Sequence, residues 1–173
     1  MAQTLDIPSD ALVVLCGPTG SGKSTFAAKH FGRTQIVSSD ECRELVTDDP
    51  ASQACSGDAF AILYAIARAR LNFRRLTVVD STALSSDSRR NLLKIADECG
   101  TPTVLIFFRV PREVCLARNE RRQRRVPVEV IERQCEEADE AASRIHEERF
   151  GRVYELTTAN IDTAEVVMGP SHH

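Results

Sequence analysis

The sequence contains no apolar run that approaches the roughly 20 residues needed to span a bilayer. Its first residues, Met1 to Asp6, lack the basic start and apolar stretch of a secretory signal. The six cysteines are scattered and none belongs to a C-x-x-C pair, which argues against a zinc site. We therefore expect a cytoplasmic protein with free thiols and no membrane partner.

Internal repeats, low-complexity linkers and a second domain are also absent from the 173 residues. We expect one domain over residues 1–170, and residues 171–173 are typical of a purification-tag remnant. The net charge of −3 argues against a uniformly basic nucleic-acid coat. A polyanion would then be bound at one place on the surface only.

Lysine is scarce, with 3 residues against 19 arginines, and five of the arginines lie between Arg118 and Arg125. On a helix, Arg118, Arg121, Arg122 and Arg125 would share one face. Such a run is often only a solvated face, but so much like charge is better explained by contact with a polyanion. The Val126-Pro127 break after it predicts a hinge, and the segment 118–150 a lid over ATP.

A phosphate-binding loop is the strongest motif, since GPTGSGKS from Gly17 to Ser24 matches G-x-x-x-x-G-K-[ST] at every fixed position. An apolar run over 12–16 precedes the loop and a helical pattern follows it, which is the setting that the motif requires. Lys23 is predicted to reach the β- and γ-phosphates of ATP, and Ser24 to bind Mg²⁺. The predicted ATP-binding residues of the loop are Gly17, Thr19, Gly20, Ser21, Gly22, Lys23, Ser24 and Thr25.

Apolar runs alternate with helical patterns along the chain, at 12–16, 35–38, 76–80, 103–108 and 152–156. This alternation predicts an α/β fold in which helices flank a parallel five-stranded sheet on both faces.

Two carboxylates stand where predicted strands end. Asp80 would bind Mg²⁺, directly or through water, although it could instead cap the next helix or turn. Neither N-K-x-D nor D-x-x-G accompanies it, so a GTPase is disfavoured. Asp40 would face the γ-phosphate from the acceptor side, although Asp40 or Ser39 could merely cap the following helix. Arg43, one turn on, could bind an anionic acceptor.

With these sites placed, residues 12–156 resemble the polynucleotide 5′-kinase module of bacterial polynucleotide kinase-phosphatase, and more distantly phage polynucleotide kinase. The resemblance rests on GPTGSGKSTFAAKHF, IVSSDECRELVTDD, the stretch from Gln53 to Phe60, RLTVVDST and VCLARNERR. It implies a P-loop kinase fold with an arginine-bearing lid, ATP with Mg²⁺ as donor, and a 5′-OH single-stranded RNA or DNA end as acceptor.

The resemblance also implies roles for individual residues. Lys23, Asp40 and Arg122 would be catalytic, with Asp40 as the general base that takes the 5′-OH proton. The lid arginines expected at the ATP phosphates are Arg118, Arg122 and Arg125. The residues expected at the acceptor are Asp40, Arg43, Gln53 and Val130.

The sequence departs from that family in two respects. After the third predicted strand the family often has D-A-T-N, whereas this chain has Asp80-Ser81-Thr82-Ala83. The parent enzyme also carries phosphatase and ligase-like domains, for which this chain has no room, so we expect an excised module or a stand-alone relative. Two other functions stay open: a P-loop kinase of a small metabolite or nucleotide, and an NTP-binding module without kinase activity.

Overall fold

The computed structural model describes residues 2–172, so the predicted domain and tag remnant each have one terminal residue, Met1 and His173, outside the described residues. The strands are β1 Thr4–Pro8, β2 Leu12–Cys16, β3 Ile36–Ser38, β4 Thr77–Asp80, β5 Thr103–Arg109, β6 Arg152–Thr157 and β7 Glu165–Gly169. The α-helices are α1 Lys23–His30, α2 Ser39–Thr47, α3 Ser56–Asn72, α4 Ser86–Cys99, α5 Arg112–Glu120 and α6 Val128–Arg144. Short 3₁₀ helices cover Arg33–Gln35 and Ile145–Glu147.

Five of the strands form a parallel sheet in the order β3-β4-β2-β5-β6, which confirms the predicted α/β fold. The central strand, β2, has no exposed residue, because helices cover both faces of the sheet. Alternate residues of β2 enter two different cores, with Leu12 and Val14 packing in one and Val13 and Leu15 in the other. All five apolar runs of the sequence are strands of this sheet.

The sequence did not predict β1 and β7, which form a separate two-stranded parallel sheet. Only Leu5 and Ile7 of β1 give it an apolar face, and its partner in register lies at the other end of the chain. Tyr154 on β6 fastens β1 to the larger sheet, since its hydroxyl accepts a hydrogen bond from Asp6 N at 3.0 Å and donates one to Asp6 O at 3.1 Å. Such long-range pairing leaves no local pattern to read.

The arginine cluster is divided between the end of a helix and a loop, so its arginines do not form the single face that they would share on a helix. Helix α5 ends at Glu120, and residues 121–127 connect it to α6. Consecutive arginines repel one another on a helix, and a residue before proline, here Val126, disfavours the helical conformation. Among residues 2–172, no helix combines the length and apolar character needed to cross a bilayer.

Two glycines provide a matched test of the backbone assignment. Gly100 caps the C-terminus of α4 in the left-handed region at φ +60°, whereas Gly57 is the second residue of α3, and a Cβ at either position would meet nothing within 4 Å. We expect Gly100→Ala to lower the free energy of unfolding by about 1 kcal/mol, and Gly57→Ala to raise it by about 0.5 kcal/mol. Chemical denaturation at 25 °C measures both changes, and equal signs would contradict the assignment.

Candidate functional site

The phosphate-binding loop connects β2 to α1 with two glycines in the left-handed region. Gly20 has φ +85° and Gly22 has φ +97°. A Cβ on Gly20 would lie 2.8 Å from the backbone oxygen of Cys115 in α5, so this position excludes a side chain on both counts. The loop therefore lies directly against α5, the helix that begins the lid. The loop ends at the N-terminus of α1, so the backbone N–H groups of both are next to each other.

Lys23 is the first residue of α1 and its side chain is buried under the loop. Its ammonium donates hydrogen bonds to the backbone oxygens of Gly17 at 2.7 Å and Pro18 at 2.8 Å. Burial is the main cause that lowers the pKa of Lys23 to about 8. The charge of the Lys23 ammonium is therefore offset by the loop carbonyls that it contacts and by more distant groups.

Asp80 ends β4 beside the loop and contacts Ser24. The Ser24 hydroxyl donates a hydrogen bond to Asp80 Oδ2 at 2.8 Å, and burial raises the pKa of the Asp80 carboxyl. Helix α4 is capped by Ser85 rather than Asp80, which removes the alternative that Asp80 caps that helix. A hydroxyl and a buried carboxylate are hard oxygen ligands, so the pair fits Mg²⁺. Residues 2–172 contain no group of three or more His, Cys, Asp or Glu side chains that could hold a metal ion.

Asp40 lies in the first turn of α2, immediately after β3. The helix is capped by Ser38, whose hydroxyl accepts from Glu41 N at 3.3 Å, so neither Asp40 nor Ser39 serves as the cap. The Asp40 side chain is 71% exposed and accepts a hydrogen bond from Arg43 Nη1 at 3.0 Å. The Asp40 carboxylate is therefore accessible to a ligand, and the hydrogen bond from Arg43 fixes its orientation.

Arg43 is mostly buried, unlike a typical surface contact for a ligand. Its guanidinium lies over the ring of Phe60, 5.6 Å from the centroid, and its Nε is buried without a hydrogen-bond partner. The structure thus places Arg43 behind Asp40, where it holds the carboxylate in position.

The lid meets the loop through α5 and α6. Arg118 Nη1 donates to the backbone oxygen of Gly20 at 3.0 Å, and Thr19 N donates to Gln134 Oε1 at 2.8 Å. On the opposite side, Arg124 Nη1 lies 3.7 Å from Asp49 Oδ1 in the segment that joins α2 to α3. The lid therefore spans the space between the phosphate-binding loop and the α2–α3 segment.

A cavity of about 390 Å³ joins these elements. Its walls bring together most of the predicted residues: Thr19, Gly20, Gly22, Lys23, Ser24, Thr25, Asp40, Asp80, Arg118 and Arg122. The predicted residues outside the walls are Gly17, Ser21, Arg43, Gln53, Arg125 and Val130. Gly17 and Ser21 are buried within the loop, whereas Gln53 and Arg125 are exposed elsewhere on the surface.

Two wall residues that the sequence did not indicate, Ile161 and Asp162, follow β6. The Ile161 side chain approaches the loop closely, because a Cβ on Gly22 would lie 3.1 Å from Ile161 Cδ1 and 3.4 Å from Arg118 Nη1. An apolar side chain and a guanidinium thus flank the same glycine. The only available signal was position, since the segment follows a strand whose carboxyl end meets the same edge of the sheet.

Residues 12–145 match the family described as AAA domain, and this stretch is more than half of the chain. The chain belongs to the AAA domain family.

This AAA domain is 28% identical over 162 residues to the L-seryl-tRNA(Sec) kinase of Methanococcus maripaludis, covering 90% of this chain and 60% of that protein. A chain of the Pnkp1/Rnl/Hen1 RNA repair complex superposes with a TM-score of 0.68 at 24% identity, covering 81% of this chain and 47% of that one. A gluconokinase from Sinorhizobium meliloti 1021 superposes with a TM-score of 0.54 at 20% identity, covering 89% of this chain and 86% of that one.

These likenesses confirm the predicted P-loop kinase fold and the resemblance to a polynucleotide kinase module. The chain spans less than two thirds of the seryl-tRNA kinase and about half of the RNA repair chain.

Asn119, which is 3% exposed, holds the lid loop, residues 121–127, in place. Its amide donates to Val126 O at 2.8 Å and accepts from Val126 N at 2.9 Å. Asn119→Asp removes the amide donor and places a carboxylate against the Val126 carbonyl, so we expect the loop to open more often. Because a hydrogen bond of this kind contributes about 1 kcal/mol, trypsin should cleave the loop at least about fivefold faster. Asn91→Asp, on the exposed side of α4, is the control. Equal cleavage rates in the two variants would show that Asn119 does not hold the loop.

Proposed function

We propose that this protein is an ATP-dependent kinase that transfers the γ-phosphoryl group of ATP to the 5′-hydroxyl of a single-stranded RNA or DNA end. One observation carries the proposal: Asp40 shares a single cavity with Lys23, Ser24, Arg118 and Arg122. A phosphate-binding loop alone would suit many NTP-binding proteins. A carboxylate that lines the same cavity, and that neither caps its helix nor lies buried, is the additional group that a hydroxyl acceptor needs.

The donor half consists of the loop and the start of α1. Loop N–H groups and the Lys23 ammonium would bind the β- and γ-phosphates, with Arg118 and Arg122 opposite them on the lid. Ser24 and Asp80 would hold Mg²⁺. When bound, the ion would supply positive charge that offsets the phosphate oxygens.

The acceptor half consists of the start of α2. Asp40 would accept the proton of the 5′-hydroxyl as the hydroxyl oxygen forms its bond to the γ-phosphorus. The bond from that phosphorus to the β,γ-bridging oxygen breaks, and ADP leaves with the bond electrons. Arg43 keeps the Asp40 carboxylate aimed into the cavity through its 3.0 Å hydrogen bond. Lys23 and Arg122 would offset the charge that develops on the transferred group.

The nature of the acceptor is supported by the relatives and by the surface beyond the cavity. One relative is named for a tRNA substrate, and a structural neighbour belongs to an RNA repair complex. Gln53 and Val130, proposed acceptor contacts, lie outside the cavity on the α2–α3 segment and on α6. An acceptor longer than one nucleotide would extend along that surface. Arg125, although outside the cavity, stays a candidate for contact with phosphate if the lid moves.

A second candidate acceptor is the serine hydroxyl of an aminoacylated tRNA, favoured by the 28% identity to the seryl-tRNA(Sec) kinase over 90% of this chain. Transfer of γ-labelled phosphate from ATP separates the candidates. Matched 5′-OH RNA and DNA strands, the same strands with a 5′-phosphate, seryl-tRNA and gluconate serve as acceptors. We expect label only on strands that carry a 5′-hydroxyl. Slow hydrolysis that no acceptor stimulates would instead indicate an NTP-binding module.

The role of Asp40 is tested by Asp40→Asn. We expect the rate of transfer to fall at least about 100-fold, because an amide cannot take the hydroxyl proton. ATP binding, measured by calorimetry, should change less than about twofold, because the proposed ATP contacts belong to the loop, α1 and the lid rather than to α2. Glu41→Gln, which changes the neighbouring exposed carboxylate, is the control. Normal end labelling by Asp40→Asn would exclude Asp40 as the base.

The buried ammonium predicts a pH dependence. A bound triphosphate favours the charged form of Lys23, whose pKa without ligand is about 8. ATP affinity should therefore decrease above pH 8, approaching tenfold per pH unit for one coupled proton. The sign is opposite for stability, because between pH 8 and 10.5 the unfolded chain binds more protons at this residue, so folding is favoured as pH rises. In Lys23→Ala, neither ATP affinity nor stability should show this pH dependence. A wild-type ATP affinity that does not change above pH 8 would contradict the assignment.

A further inference from the structure

A buried guanidinium outside the cavity links two parts of the candidate site. Arg89 on α4 is 1% exposed. Its Nε lies 2.8 Å and 3.1 Å from the two carboxylate oxygens of Glu148, and its Nη2 lies 2.7 Å from Glu148 Oε1. This two-pronged contact fixes both the distance and the orientation of the partner. Arg89 is absent from the cavity walls, so it would act through the groups that it holds.

The Arg89 guanidinium also binds the segment that follows Asp80, residues 81–84. Nη1 donates to the backbone oxygens of Ala83 at 2.9 Å and Leu84 at 2.8 Å. Ala83 has φ +46°, a left-handed conformation that is unfavourable for alanine and persists only when its surroundings hold it. The preceding residue, Thr82, accepts a hydrogen bond from Gly17 N at 2.9 Å. Arg89 thus braces a strained segment that contacts the phosphate-binding loop.

Glu148 belongs to the end of the lid. It directly follows α6 and the 3₁₀ helix Ile145–Glu147. Helix α6 carries Gln134, which accepts a hydrogen bond from the loop at Thr19 N. The position of α6 is therefore fixed near its middle by the phosphate-binding loop and at its end by Arg89.

We propose that Arg89 is a positioning residue that couples the end of the lid to the Asp80–Leu84 segment and the phosphate-binding loop. The inference rests on the proposed function, because its consequence is the placement of the lid arginines over ATP. A buried ion pair contributes little net stability compared with apolar residues of the same size, whereas its fork geometry specifies one arrangement of the parts that it joins. Displacing a catalytic group by about 1 Å can lower a rate about 100-fold.

A structural role and a positioning role predict different results when the pair is broken together with a lid arginine. If Arg89 and Glu148 act by placing Arg122, then removing Arg122 should abolish most of the effect of breaking the pair. If the pair only stabilises the fold, breaking it should leave the kcat of the folded variants unchanged, and if it affects kcat without placing Arg122, the two losses should multiply.

The experiment is a double-mutant cycle of Glu148→Gln with Arg122→Ala, measured at a temperature where circular dichroism shows every variant folded. We expect Glu148→Gln to lower kcat at least about tenfold with less than a threefold change in the KM of the acceptor. In the Arg122→Ala background the same substitution should lower kcat less than twofold. Arg89→Lys, which keeps the charge and loses the fork, should reproduce the single-variant result and serves if Glu148→Gln does not fold.

Asp87→Asn is the matched control, because it breaks the exposed ion pair with Arg90 on the same helix. It should leave kcat unchanged. Multiplicative losses in the cycle, or a kcat of Glu148→Gln and Arg89→Lys equal to that of the wild type, would overturn the proposal. A wild-type protein that phosphorylates no hydroxyl would overturn the proposed function instead. The same cycle is then measured in the acceptor-free hydrolysis of ATP, where multiplicative losses again overturn the coupling.

Discussion

The parallel alignment of β3, β4 and β2 is the constraint on which the rest of the site depends. Ser38 at the end of β3 lies in register with Asp80 at the end of β4, and Asp80 lies in register with Leu15 of β2. Since the carboxyl ends of parallel strands meet at one edge, the phosphate-binding loop and the carboxylates of Asp80 and Asp40 arrive together from distant parts of the sequence. The helices that follow these strands then set the direction of each side chain.

Charge in the cavity is prepared for a ligand that carries the opposite charge. Lys23 is buried with a lowered pKa, and Asp80 is buried with a raised pKa, so desolvation disfavours the charged form of both groups. A triphosphate with its divalent cation would reverse both effects, because phosphate oxygens favour the ammonium and the cation favours the carboxylate. The free energy that desolvation of the two groups costs would thus be regained on binding, and reorganisation would be small because the loop already holds Lys23 in place.

The sequence predicted what depends on local pattern. Apolar runs identified all five strands of the main sheet, and the loop motif located Lys23 and Ser24. Pairing between distant segments was not predictable, and neither the β1–β7 sheet nor the placement of Ile161 had a local signal. The face that Arg118, Arg121, Arg122 and Arg125 would share on a helix does not form, because α5 ends at Glu120 and repulsion between arginines disfavours its continuation. Arg89 gave no signal either, since an arginine in an amphipathic helix is typically exposed, and burial follows here from Glu148, far along the chain.

The anchoring of the lid restricts how it could close over a nucleotide. The Val126-Pro127 break, predicted as a hinge, adjoins a loop that Asn119 binds through both backbone groups of Val126. Flexing there would break two partly buried hydrogen bonds, each contributing about 1 kcal/mol. The α5–α6 pair is therefore expected to move as one body, with its adjustment at the ends, where Arg118 meets the loop and Glu148 meets Arg89. A lid that moves as one body transmits a displacement at Glu148 to Arg118 and Arg122, because the hydrogen-bonded loop between α5 and α6 does not absorb the displacement.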